Sequence, residues 1–348
     1  MAYTTIDNGE EHFNTVTYTG TGSSRSITGL EFGPDWVWIK RRNGAYSHYL
    51  YDSTRGTGKQ LYAEKLDAEA TDNTEVTAFN SDGFSLGSGS GTNENTNTQV
   101  AWCWKANGGT TSSNTNGDVT STVQANTTAG FSIVTWTSTG GNESVGHGLG
   151  VTPNWFITKN RSAGANWKVY HDKNTSAPQT DNLSLNKTDA TQDDAAAWND
   201  TAPTSTTFTV GTDAGSGGSS GNNMIAYCFA EIQGYSKFGS YTGNGNADGA
   251  FVYTGFKPAW LMVKKSVGNA RAWVIHDNKR DIDNPTASRL DANTNEAAQS
   301  SGHFDFLSNG FKCRSTEGAT NQDTHTFVYM AFAEHPFVSS KGVPVTAR

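Results

Sequence analysis

The stretch Pro34-Asp35-Trp36-Val37-Trp38-Ile39-Lys40 occurs three times. It returns as Pro153-Asn154-Trp155-Phe156-Ile157-Thr158-Lys159 and as Pro258-Ala259-Trp260-Leu261-Met262-Val263-Lys264. Each copy sets Pro two residues before Trp, runs on through apolar residues and ends on Lys. Pro cannot donate to a strand ladder, so Pro34, Pro153 and Pro258 mark strand starts. The residues that follow are apolar at nearly every position, the pattern of a strand buried on both faces or covered by aromatic groups on one. The closing Lys is expected to lay its stem on apolar surface and keep its charge in water.

The surroundings recur in the same order. Ahead of each copy lies a segment of period-two alternation ending in a Gly turn (residues 13–22, 131–140 and 238–245), which reads as a strand. Behind each copy come Tyr49-Leu50-Tyr51-Asp52, Val169-Tyr170-His171-Asp172 and Val274-Ile275-His276-Asp277, then Leu66, Leu185 and Leu290. A later strand carries Phe84, Phe208 or Phe311. In two copies Asp-Gly or Asn-Gly precedes that Phe, a strong hairpin signal. The copies close on Val100-Ala101-Trp102-Cys103-Trp104, Ile225-Ala226-Tyr227-Cys228-Phe229 and Val328-Tyr329-Met330-Ala331-Phe332. Taking the first Trp of each as a register mark, the offsets are 119 and 105 residues.

The extra length falls in 106–130, which is rich in Gly, Ser, Thr and Asn and reads as a linker with one short strand. The expected division is a first repeat with an N-terminal arm (1–105), the linker (106–130), a second repeat (131–233), a third (234–338) and a C-terminal tail (339–348). Repeats two and three follow without a linker and should touch. Units of ~100 residues with turn signals every ~8–12 residues predict an all-β chain of three tandem antiparallel β-sandwiches, jelly-roll-like in character. Residues 63–70 and 189–198 have room for two helical turns at most.

Composition narrows the function. Charged residues are 17%, below the ~25% of ordinary globular domains, while aromatics are 11% and include ten Trp. Such a chain folds around an aromatic core. The net charge is −8 with Lys and Arg scattered, which argues against nucleic-acid binding. No apolar run reaches the ~20 residues of a membrane-spanning helix. The start, Met1-Ala2-Tyr3-Thr4-Thr5-Ile6-Asp7, carries no signal-peptide pattern, so synthesis in a cytoplasm is expected. The three Cys, Cys103, Cys228 and Cys313, are too few and too far apart for a disulfide framework or zinc site and read as buried thiols.

Catalytic residues tend to occur once, whereas scaffold residues recur. By that test Trp36, Trp155 and Trp260, Phe84, Phe208 and Phe311, and Cys103 and Cys228 form a structural core, with each Trp filling the core of its own sandwich. No catalytic, cofactor-binding or metal residues are assigned, and a non-enzymatic protein without cofactor is expected. Lys40, Lys159 and Lys264 could pair across strands with Asp52, Asp172 and Asp277, a structural role. His171-Asp172 and His276-Asp277 resemble a base with its acid, but strand neighbours point to opposite faces. Residues 244–249 (Asn-Gly-Asn-Ala-Asp-Gly) begin like a calcium loop but lack the later bidentate acid.

The quoted Pro-x-Trp stretch, with Ser81-Asp82-Gly83-Phe84-Ser85-Leu86-Gly87, Val145-Gly146-His147-Gly148-Leu149-Gly150 and Gly239-Ser240-Tyr241-Thr242-Gly243, resembles uncharacterised tail or fibre-like virion proteins of marine bacteriophages. The resemblance implies a virion structural protein, on tail or capsid, located in the particle. Its partners would be other virion proteins and a host-surface glycan or receptor, within a homo-oligomeric or symmetric assembly and without membrane insertion. Typical fibres carry a docking domain and a long shaft, which this chain lacks. A free carbohydrate-binding protein is the alternative and predicts exposed aromatics in at least two repeats. A β-sandwich glycan hydrolase or lyase is the third, and predicts a carboxylate pair in a groove.

Overall fold

The protein, seen in a computed structural model, is described over residues 4–336. The proposed tail at 339–348 lies outside the described residues. Three antiparallel sheets carry the repeats. In the first, the order is opening strand Phe13–Thr19, closing strand Thr98–Trp104, central strand Trp36–Arg41, return strand His48–Asp52 and outer strand Lys59–Tyr62. The second repeats that order with Phe131–Thr137, Asn223–Phe229, Trp155–Asn160, Lys168–His171 and Asp181–Ser184. The third does so with Ser236–Thr242, Thr326–Pro336, Phe256–Lys265, Trp273–Asp277 and Thr286–Asp291. The all-β expectation holds. Among the described residues, helix is confined to Ser90–Asn93, Ala195–Trp198 and a 3-10 turn at Gly9–Glu11, so 63–70 is not helical.

Each central strand is buried on both faces, and its alternation serves two different cores. Val37 and Ile39 point toward a small sheet made of Arg25–Thr28, Val76–Asn80 and Gly83–Leu86, and pack in one cluster with its Phe84 and with Cys103 of the closing strand. Phe156 likewise joins Phe208 and Cys228, and Leu261 and Val263 join Phe311. These are the three sandwich interiors. The Trp side chains point the other way. Trp36 and Trp38, Trp155 and Ile157, and Trp260 and Met262 converge with Trp102, Trp104, Tyr227, Phe229, Met330 and Phe332 in one further core that belongs to all three repeats.

The shared core corrects the expectation that each Trp fills its own sandwich. Trp36 stacks on Tyr227 of the second repeat with ring centroids 4.3 Å apart. Trp104 meets Trp260 of the third edge-on at 5.7 Å, and Phe229 meets Phe332 at 5.7 Å. Offset and edge-to-face contacts of this kind are the favoured aromatic geometries. All ten Trp of the chain are buried, which removes them as sugar platforms. Trp155→Ala is expected to cost about 3–5 kcal/mol as a large-to-small core change; a chemical-denaturation midpoint near wild type would contradict its burial.

Two boundaries also change. Residues Ser112–Asn114 and Ser121–Asn126 are strands that extend the second sheet beyond Phe131–Thr137, so 106–130 is part of that repeat and not a free linker. Its polar composition reflects its place at the margin of the sheet, where Ser112–Asn114 is the exposed edge strand and Ser121–Asn126 is paired on both sides, with Val123 buried. Pro258 does not begin its strand, which starts at Phe256. The ladder shifts register on both sides of Pro258, and the irregularity accommodates a residue with no N–H to donate.

Candidate functional site

The recurring polar residues lie at the seams between repeats. Lys40, Lys159 and Lys264 are fully buried. Lys40 Nζ donates to the carbonyl of Arg41 at 2.8 Å and to that of Asn295 in the third repeat at 3.2 Å. Lys159 Nζ donates to Ala165 at 2.5 Å and to Leu66 of the first repeat at 2.8 Å. Lys264 Nζ donates to Arg271 at 2.5 Å and to Thr188 of the second repeat at 2.8 Å. Each lysine thus ties its repeat to the one before, and the first is tied to the third. Backbone bonds run the same circuit, from the N–H of Glu69 to the Arg161 carbonyl, of Thr191 to Ser266 and of Ala298 to Arg42. A ring of three heterologous contacts that closes is the arrangement of a cyclic trimer, achieved here within one chain.

The expected Lys–Asp pairs do not form. Lys40 lies opposite His48, and Asp52 opposite Trp36 at the other end of the strand. Neutral carbonyls offset the burial of an ammonium only in part, and burial lowers the pKa of Lys40 and Lys159 to about 8 and of Lys264 to about 7. In the unfolded chain the same amines hold their protons up to about 10.4. The unfolded state therefore binds more protons between those values, and stability rises with pH in that window. The buried thiols of Cys103, Cys228 and Cys313, whose pKa burial raises, oppose the trend once unfolded cysteine ionises near ~8.5. Buried tyrosines with raised pKa, such as Tyr51 and Tyr227, reverse it as unfolded tyrosine ionises near ~10. Melting temperature is expected to climb from about pH 7 to about pH 8.5 and Lys264→Met to flatten the climb; an unchanged slope in the variant would contradict this origin.

A second recurring position faces the next repeat in the ring. Trp36 lies opposite Asp52, Trp155 opposite His171 and Trp260 opposite Asp277. The structural counterpart of the two aspartates is therefore His171, not Asp172. Asp52 accepts from Arg55 Nε at 2.5 Å and from the Tyr227 hydroxyl of the second repeat at 2.7 Å. Asp277 accepts from Arg280 Nε at 2.5 Å and from Trp102 Nε1 of the first repeat at 2.9 Å. In the third repeat the position of Tyr227 and Trp102 is taken by Met330, which has no proton to donate. The residue three positions on is likewise Asn174, not Arg. His171 fits that difference. Burial lowers its pKa, Nδ1 accepts from the Lys173 N–H at 3.0 Å, and Nε2 lies 3.0 Å from the Tyr329 carbonyl of the third repeat.

Other candidate chemistry is absorbed by structure. His276 packs edge-on against Phe304 at 5.2 Å. Cys103, Cys228 and Cys313 are buried and unpaired, and burial raises all three thiol pKa values, that of Cys313 to about 12. In the loop at 244–249, Asn246 Oδ1 accepts from the Asp248 N–H at 2.9 Å, and Asp248 Oδ1 pairs with Lys312 Nζ at 2.6 Å. Among the described residues no group of three or more His, Cys, Asp or Glu is placed to hold a metal. A cleft of about 330 Å³ opens beside Asp35 and Ser53. The Asp35 carboxylate there already accepts from Ser53 Oγ and the N–H groups of Ala106, Gly108 and Gly109 at 2.6–2.9 Å. It clamps the turn that leads into the second repeat.

Among the described residues, the carboxyl groups of Glu69, Asp82, Asp118 and Asp248 have lowered pKa values. Burial alone would raise Glu69, but Arg161 and Arg55 hold it low. Backbone donors lower Asp82 and Asp118, and Lys312 lowers Asp248. In each case the lowering comes from donors or cations that hold the carboxylate as an acceptor.

The exposed large aromatics among the described residues are Phe251 and Tyr253, 48% and 57% exposed, both on the edge strand Phe251–Tyr253 of the third repeat. The exposed aromatics in at least two repeats expected of a free carbohydrate-binding protein are therefore not found among those residues. Strand register with the Phe84 position matches them to Ser26 and Thr28 in the first repeat and Ser144 and Gly146 in the second. Attention to recurring residues passes over this pair, whose signal is that it departs from the other copies.

No curated protein matches the chain. A family described as a domain of unknown function, DUF7483, matches residues 8–336, a span that takes in all three copies of the Pro-x-Trp strand; the chain belongs to that family.

Proposed function

We propose that this is a non-enzymatic structural protein of a bacteriophage particle, carried on the tail or capsid, whose outer loops contact other virion proteins or a host surface. The observation that carries the reading is the closed ring of three sheets around one aromatic core. The recurring residues, Trp36, Trp155 and Trp260 with Lys40, Lys159 and Lys264, are spent on closing it. What the repeats do not share is left on the outside, where loops on a rigid scaffold serve recognition. The sequence resemblance to tail and fibre-like proteins points the same way. Electron microscopy of purified particles with gold-labelled antibody to this protein tests the proposal. Label on the tail or capsid is the expected result; label only in the particle-free fraction would overturn it.

A further inference from the structure

We infer that the cleft between Tyr253 and the turn joining repeats two and three is a binding site for a sugar ring. The inference rests on the adhesion part of the reading above and names its ligand class. The cleft measures about 290 Å³ and is walled by Tyr253, Thr254, Glu231, Gln233 and Lys237, close to the lower end of small-ligand sites at ~300 Å³.

The turn is rigid. Gly234 adopts a positive φ of 79°, and Ser236 Oγ accepts from the Ile232 N–H at 2.9 Å. The Asn154 carboxamide oxygen accepts from the Glu231 N–H at 2.7 Å, tying the turn to the second repeat. The Glu231 carboxylate is oriented by Lys237, whose Nζ reaches Oε1 at 2.6 Å. Among the described residues no protein group bonds Glu231 Oε2 or the Gln233 carboxamide. The cleft therefore joins an exposed aromatic face to a pre-set carboxylate oxygen, an amide and an ammonium.

A pyranose matches that set. One of its faces presents polarised C–H bonds, which the negative face of an aromatic ring attracts. Its rim presents vicinal hydroxyls, which donate to a carboxylate and both donate to and accept from an amide. Sites of this type combine an apolar wall with a few placed polar groups. The pair Phe251 and Tyr253 stands where the other repeats have Ser26 and Thr28 or Ser144 and Gly146, so the scaffold common to the repeats does not require it. An extended peptide pairing with the open edge strand is the competing occupant.

Saturation-transfer difference NMR on the full chain decides the matter, with glucose, galactose, mannose, N-acetylglucosamine and their short oligomers as probes. Transfer to protons on one ring face is expected with a dissociation constant of about 1–10 mM for at least one probe. Tyr253→Ala should weaken binding roughly tenfold and Gln233→Ala by a smaller factor. Both residues are exposed, so melting temperatures should stay at the wild-type value. No transfer from any probe, binding by Tyr253→Ala within about twofold of wild type, or displacement of the sugar signal by an unrelated extended peptide would overturn the assignment. Gold label on particles combined with no sugar binding would reject the cleft alone; sugar binding with label absent from particles would reject the virion location alone.

Discussion

Residues 1–105 expressed alone are expected not to form a stable folded monomer. The fragment keeps its own sandwich interior around Ile39, Phe84 and Cys103 but exposes the other face of the sheet, with Trp36, Trp38, Trp102 and Trp104. Each large aromatic buries ~150–250 Å² in a folded core, and a contiguous patch of that size drives association in water. The fragment also loses the Tyr227 hydroxyl that Asp52 accepts from. Size-exclusion chromatography and near-ultraviolet circular dichroism provide the measurement. Aggregation or a lost near-ultraviolet signal is expected alone, and recovery when residues 106–348 are co-expressed. A monomer with a sharp thermal transition would show that each sandwich supports itself, as the linker reading of 106–130 first implied.

His171→Asp should destabilise the whole chain by about 3–5 kcal/mol, the cost of an uncompensated buried charge. The substitution makes the second repeat resemble the others at that position but supplies neither of their compensating groups. There is no Arg three residues on, because the residue is Asn174, and Met330 stands where Tyr227 or Trp102 donates elsewhere. Adding Asn174→Arg and Met330→Tyr should restore most of the loss, since these recreate the Asp52–Arg55–Tyr227 arrangement. Denaturant midpoints of the single and triple variants test it. A single-variant cost under about 1 kcal/mol would mean that water reaches the carboxylate.

Much of the fold was legible because strands write their burial in period two. The unbroken apolar run from Trp36 to Ile39 announced two buried faces, and both are buried. The burial of Trp36, Trp155 and Trp260, Phe84, Phe208 and Phe311, and Cys103 and Cys228 followed from their recurrence. Alternation cannot say what each face meets, so the Trp residues were assigned to three cores when they share one. Nor does it fix register across strands. His171-Asp172 looks like His276-Asp277 in the sequence, yet Trp155 pairs with His171 while Trp260 pairs with Asp277. Ser112–Asn114 and Ser121–Asn126 hid as a linker because strands at the margin of a sheet, the outermost and the one beside it, tolerate hydroxyl-rich sequence. The lysines were misjudged because their partners are backbone carbonyls of another repeat, which leave no trace in residue type. The aromatic cleft at Tyr253 was invisible to a search for what repeats.

The closing strand Thr326–Pro336 has a consequence for how the protein is made. It lies between the opening and central strands of the third sheet and delivers Met330 and Phe332, the latter stacked on Phe13 at 5.1 Å. A residue near the start of the chain thus waits for one made more than three hundred positions later. On the ribosome, where synthesis proceeds at ~5–20 residues per second, the emerging first and second repeats hold an open aromatic face for many seconds. Translation that stops short of this strand leaves the ring unsealed and its tryptophans exposed, a state that quality-control proteases and chaperones recognise. Thr326–Pro336 is therefore the strand whose arrival seals the ring.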